Sequence, residues 1–178
     1  AGHVTMQPNQ TTKEPKLREF FNDLNVRKAL SLCANREEMN ELIYNGLLTP
    51  RQYSPLPMSP NYYEPAATAY IDYDPDQANA LLDEAGYSEK DADGFRQWKD
   101  GSGPISWIIE STDLSGSVTE DAVLLYTKYL QDVGLQASFK YNERSLYTEH
   151  FSANDIEAAW WGGDRTVVPL APQAIIFR

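Results

Sequence analysis

The last third of the chain switches back and forth between two hydrophobic periods, and few folds accommodate that alternation. Residues 105–110 (Ile-Ser-Trp-Ile-Ile-Glu) read as a strand, after which Ser117 and Glu120 form a capping box that opens a helix. The buried side of that helix is predicted as Val118, Ala122, Leu125, Tyr129 and Val133, and Gly134 ends it. Leu135, Ala137, Phe139 and Tyr141 then alternate as a second strand, residues 145–152 form a short helix, and residues 156–161 make a third strand. Strand, helix, strand, helix, strand implies parallel strands joined by right-handed crossovers. Ligands of open α/β sheets gather beyond the carboxyl ends of the strands, which selects three segments: Ser111-Thr112-Asp113, Asn142-Glu143-Arg144 and Gly162-Gly163-Asp164-Arg165.

The preceding residues add helices and one antiparallel element. Val26, Ala29, Leu30 and Cys33 follow helical spacing, so residues 24–34 should be an amphipathic helix. A second helix follows, with Asn35 as cap, Met39, Leu42 and Ile43 as its apolar stripe, and Gly46 as its stop. Residues 49–64 carry Pro50, Pro55, Pro57 and Pro60 among tyrosines and should form an ordered surface loop that covers neighbouring core. Asp74, Pro75 and Gln77 open a helix over residues 75–85 that Gly86 closes. Residues 94–98 and 105–109 flank a turn-rich segment and should pair as a hairpin. Residues 1–8 read as a strand with Val4 and Met6 on one face, Thr5 and Gln7 on the other. The expectation is one α/β domain over residues 1–178, a mixed sheet flanked by helices.

Chemistry is narrowed by what the chain lacks. A formal net charge of −11 opposes the nucleic-acid backbone and anionic membrane faces, so neither is an expected partner. No apolar run approaches the ~20 residues of a membrane span, and no signal-peptide pattern opens the chain. The single Cys33 excludes an internal disulfide. His3 and His150 sit in no nucleophile-base setting, no Gly-x-Ser-x-Gly elbow occurs, and no metal-ligand spacing is present, so neither catalysis nor a cofactor or metal is expected. Glu110, Asp113, Glu143 and Asp164 fall at the ligand edge and leave a glycoside hydrolase fragment as an alternative. In Trp160-Trp161 the two indoles point to opposite faces of a strand, one toward the core and the other toward solvent or ligand.

Two motif blocks carry a resemblance. Phe21-Asn22-Asp23-Leu24-Asn25-Val26-Arg27-Lys28-Ala29-Leu30, continued by Arg36-Glu37-Glu38, and Tyr73-Asp74-Pro75 running on to Leu81-Leu82-Asp83-Glu84-Ala85-Gly86 resemble extracellular solute-binding protein family 5. This is the oligopeptide, dipeptide and nickel class of ABC-importer binding proteins. Asn35 stands where the family commonly has Asp, and either residue caps a helix.

The resemblance implies one lobe of a periplasmic-binding-protein type II-like fold, most of the second lobe, with both termini cut from a longer extracytoplasmic protein. It implies non-catalytic capture of an oligopeptide, or in some relatives an oligosaccharide, for delivery to a membrane permease by a monomer. In peptide-binding relatives an aspartate shortly after a strand-end tryptophan pairs with the ligand's α-ammonium group; the matching residues are Asp164 and Trp161. Arg165, which departs from the family's usual neighbours and could neutralise Asp164, joins Ser111 and Asp113 as ligand contacts expected from strand-end position. A sensory or chaperone-like lobe is the non-transport alternative.

Overall fold

The structure is a computed structural model that describes residues 4–52, 54–113 and 115–162. Its helices begin where side chains can accept from free backbone N–H groups. Asp23 accepts from Asn25 N at 2.8 Å and opens α2, Leu24–Leu32. Asn35 does the same for α3, Arg36–Tyr44, and Asp74 for α5, Pro75–Glu84, where Pro75 occupies the first turn. Ser117 caps α6, Val118–Asp132, while Glu120 reaches back to Gly116 N at 2.5 Å. One further helix, α1 at Pro15–Asn22, was not among the elements expected, although Glu14 caps it and Leu17, Phe20 and Phe21 give it a buried stripe. α4 is a single turn at Glu64–Ala67.

Four strands form one mixed sheet in the order β1 (Val4–Pro8), β4 (Ala158–Gly162), β2 (Ser106–Ser111), β3 (Gln136–Tyr141). β2 pairs in parallel with both β3 and β4, and β1 runs antiparallel to β4. The expected α/β class and the alternation over the last third are therefore what the chain adopts. The expected hairpin is corrected: residues 94–98 and 104–105 meet only through an isolated Gln97–Pro104 bridge and the bonds Trp98 N to Gly103 O and Ile105 N to Arg96 O. The reason is that β2 spends its ladder on β3 and β4, which leaves the 94–105 turn as a connection outside the sheet.

Two helix stripes are also corrected. Val118 lies at the solvent-facing start of α6, 51% exposed, and the packed side instead includes Val123, Tyr126 and Leu130 with Ala122, Tyr129 and Val133. Leu42 on α3 is 68% exposed, leaving Met39 and Ile43 to touch the core.

The main core lies on one sheet face. Trp107 and Ile109 of β2, Ala137 of β3 and Ala158 and Trp160 of β4 pack there under α1, α2, α5 and α6. Phe20 and Phe21 grip Trp107 with ring centroids 5.8 and 5.5 Å apart, and Phe20 meets Tyr87 edge-on at 5.1 Å. Such pairs contribute about 0.5–1.5 kcal/mol each beyond the area they bury. α7, Arg144–Ser152, is the only described helix on the other face, over a small cluster of Tyr147, Ile156 and Ala159 with Phe151 and Trp161.

A buried cation ties this framework together. Arg96 is 1% exposed; its Nε donates to Val133 O at 2.9 Å, Nη1 to Asp83 Oδ1 and Tyr87 O at 2.5 Å each, and Nη2 to Asn79 Oδ1 at 2.7 Å. Its backbone N–H donates to Gly134 O at 2.8 Å. Gly134 closes α6 with φ +84°, and a Cβ there would stand 2.8 Å from Gly94 O. Only glycine fits.

Replacing Arg96 by alanine leaves the buried Tyr87 and Val133 carbonyls without their donor, while the half-exposed Asp83 carboxylate turns to water, so a urea titration should show a loss of about 2–4 kcal/mol. Cys33 lies fully buried, and that burial pushes its thiol up to about 12. At neutral pH it should resist a thiol-colouring reagent in the folded chain and react at once in denaturant.

Candidate functional site

The carboxyl ends of the three parallel strands converge at one edge of the sheet, because β2 and β3 keep register to their last residues, Ser111 opposite Tyr141. The connection is closed there by Asn142 N donating to Ser111 O at 2.9 Å. α7 begins at once, with Glu143 accepting from Ser145 N at 2.8 Å as its cap. Glu143 also accepts from the Ser145 hydroxyl, and these bonds hold its carboxyl below the usual range.

Along α7, Arg144, Tyr147 and His150 recur every third residue, so one helix face presents all three. Tyr147 stacks on Trp161 with centroids 5.0 Å apart and planes 13° from parallel, and the Arg144 guanidinium carbon stands 4.7 Å from the Trp161 ring centroid. Offset stacking and cation–π contact both suit an indole that keeps part of its surface in water. His150 Nδ1 lies 3.1 Å from Glu110 Oε2, and Asn142 Nδ2 donates to the same oxygen. Glu110 is 5% exposed, an acid placed on the sheet face beneath α7.

The two tryptophans separate as their alternation requires. Trp160 is buried in the main core, stacked at 5.8 Å on Tyr126; Trp161, half-buried, faces α7. Ser111 is fully buried, and its hydroxyl donates to Asp113 Oδ2 at 2.9 Å while accepting from Asp113 N, so this pair shapes the loop after β2. Asp113 is itself half-buried. Asp164 and Arg165 lie outside the described residues.

The structure thus brings together Trp161, Arg144, Tyr147, Glu110 and His150. Arg144 and Glu110 were legible from their strand-end positions, whereas Tyr147 was not singled out and His150 was set aside for want of a nucleophile-base setting. The signal that would have found them is the three-residue spacing on α7, facing a strand that ends in tryptophan.

On the opposite sheet face a groove of about 900 Å³ opens between Met6, Tyr126 and Trp160 and the 49–64 loop. The loop is docked by Gln52, whose Nε2 donates to Ser31 Oγ at 2.6 Å and to Ala69 O at 2.8 Å. No described helix is long and apolar enough to cross a membrane, and among the described residues no group of three or more acidic, histidine or cysteine side chains is placed to hold a metal.

Comparison with known proteins gives a consistent picture. Residues 1–173 match the model of bacterial extracellular solute-binding proteins, family 5. The chain is 26% identical over 154 residues to an oligopeptide-binding protein of Lactococcus lactis, covering 85% of this chain and 25% of that protein. It therefore spans about a quarter of that relative's length. A solved oligopeptide-binding protein superposes with a TM-score of 0.86 at 36% identity, over 93% of this chain and 26% of the other. The Bacillus subtilis oligopeptide-binding protein AppA, solved in complex with a nonapeptide, gives 0.78 at 26% identity over 94% and 32%.

Burial, followed by the nearby Glu110 carboxylate, raises the Tyr147 phenol from its ordinary value near 10 to about 12. Between those values the unfolded chain has lost the proton that the folded chain keeps, so stability present below pH 10 should fall as pH rises through this window. A Tyr147→Phe variant should show a shallower alkaline loss in denaturant titrations taken between pH 9.5 and 11.5.

Proposed function

The chain belongs to the bacterial extracellular solute-binding proteins of family 5, and on that premise we propose that it forms one wall of a two-lobe clamp that captures oligopeptides outside the cytoplasm for an ABC importer. The observation that carries this reading is the half-buried Trp161, held by Tyr147 and Arg144 at the carboxyl edge of the parallel strands. A site of this kind supplies contact rather than chemistry. The aromatic pair offers a flat apolar surface to backbone and side chains of mixed sequence, and Arg144 offers a cation.

Asp164, three residues beyond Trp161, supplies the opposite charge in this proposal. A peptide ammonium enclosed between lobes loses hydration, and a carboxylate with charge-assisted hydrogen bonds offsets that loss. Arg165, Ser111 and Asp113 serve the same edge, the last two by shaping the loop through their mutual hydrogen bonds. Residues 1–178 then make up most of the second lobe. The ligand bridges the two lobes and favours their closed arrangement, which the permease recognises.

The stacked aromatics also fit a sugar ring, so an oligosaccharide is the competing ligand. Mass spectrometry of small molecules retained by the two-lobe protein carrying this chain should identify peptides; recovery of sugars alone would replace the peptide reading. In that protein Trp161→Ala should weaken peptide binding at least ten-fold by calorimetry. Asp164→Asn should weaken free peptides while sparing N-acetylated ones, and equal affinity of the unaltered protein for both forms would reject the ammonium role.

A further inference from the structure

We propose that Glu110 and His150 form a latch that positions Trp161 by fastening α7 to the sheet. Two features of the fold make such a latch necessary. The main core occupies the opposite sheet face, and α7 is held on its own side by the small cluster of Tyr147, Ile156 and Ala159 with Phe151 and Trp161. A helix held by so few apolar contacts belongs to the low-stability end of a structure, where local opening begins.

Glu110 is the second feature. It stands on the interior strand β2, one residue before the strand's end, 5% exposed, paired with Ala159 of β4 and Lys140 of β3. A buried carboxylate is costly unless its oxygens are bonded, and an apolar residue would fill the position without that cost. Its Oε2 is instead shared between Asn142, where β3 ends and α7 is about to begin, and His150 in the last turn of α7. One oxygen thereby fixes the approach to the helix and its far end. Between them lie Arg144 and Tyr147, the residues that flank Trp161.

The three contacts are geometrically linked. His150 is one turn beyond Tyr147 on the same helix face, so rotation or lift of α7 that breaks the Glu110 contact also slides Tyr147 off the indole. Glu110 and His150 act through Trp161, as positioning residues. The inference rests on the reading of Trp161 as a ligand contact for its functional meaning, but the latch itself can be read without any ligand.

The test has two arms. In the 178-residue chain, near-UV circular dichroism and acrylamide quenching are followed for His150→Phe, which keeps a ring but has no N–H, Glu110→Leu and the double variant, with Trp161→Phe marking the Trp161 contribution. Each single variant should lose that contribution and raise its quenching about two-fold while far-UV dichroism stays unchanged. The double variant should go no further than either single, and His150→Lys, which restores a donor to the carboxylate, should recover the signal. An unchanged Trp161 signal in His150→Phe, or additive losses, overturns the latch; should the Glu110 variants fail to fold, His150→Phe and His150→Lys decide alone.

In the two-lobe protein, His150→Phe should weaken peptide binding about five-fold. Unchanged affinity in His150→Phe, with Trp161→Ala still damaging, removes the latch's role in binding. If Trp161→Ala leaves binding intact while the latch variants still unstack the pair, the ligand reading falls and the latch stands.

Discussion

The guanidinium of Arg96 is the fixed point from which the site's geometry descends. A cation with 1% exposure is tolerable only when its N–H donors all find oxygens, and here they are drawn from α5 at Asn79 and Asp83, from the Tyr87 carbonyl beyond it, and from the end of α6 at Val133. The same residue's backbone N–H donates to Gly134 O, two residues before β3, and its carbonyl accepts from Ile105 N, immediately before β2. One residue therefore sets where both strands start. Since β2 and β3 have equal length and pair from Ser106–Gln136 to Ser111–Tyr141, fixing their starts also aligns their carboxyl ends. The carboxyl edge of these strands is level because its opposite end is pinned.

The sheet then divides labour between its faces. One face carries the aromatic knot of Phe20, Phe21, Tyr87 and Trp107 and nearly all of the fully buried side chains, so it supplies most of the stabilisation. The other carries α7, a buried acid and a few aromatic contacts. Adjacent tryptophans on β4 belong one to each regime. Trp160 contributes packing and Trp161 faces α7, and a one-residue slip of β4 against β2 would exchange them.

How much of this could be read beforehand depended on whether the determinant was local. Caps at Asn35, Asp74 and Ser117, and the strand-helix alternation after residue 105, act within a few residues and were legible. α1 carried local signals in Glu14, Pro15 and the Leu17, Phe20, Phe21 stripe, but over eight residues that stripe repeats across barely two turns, too few to stand out as a period. The 94–98 segment was misassigned for a non-local reason, since whether it joins a strand depends on what already occupies both edges of β2. Likewise the Glu110–His150 contact joins residues 40 apart across a crossover, and no spacing rule relates them.

That division also explains how an acidic chain can present a cation at the carboxyl edge of its parallel strands. The formal charge of −11 is a property of the whole surface, screened over roughly 8 Å at physiological ionic strength. Arg144 acts at 4.7 Å from the Trp161 ring, well inside that range, so the field there is set by Arg144 and by the acids beside it, Glu143 and Glu110, rather than by the whole surface. In the clamp proposed above the contrast would sharpen: as a second wall closed and water left, each charge at the edge would interact more strongly with what it enclosed. A lobe open to solvent holds its charges in water and gains little from them. On that proposal Arg144, Tyr147 and Trp161 form a weak surface when open and a strong one when covered, with α7 as the element whose placement sets what they would meet.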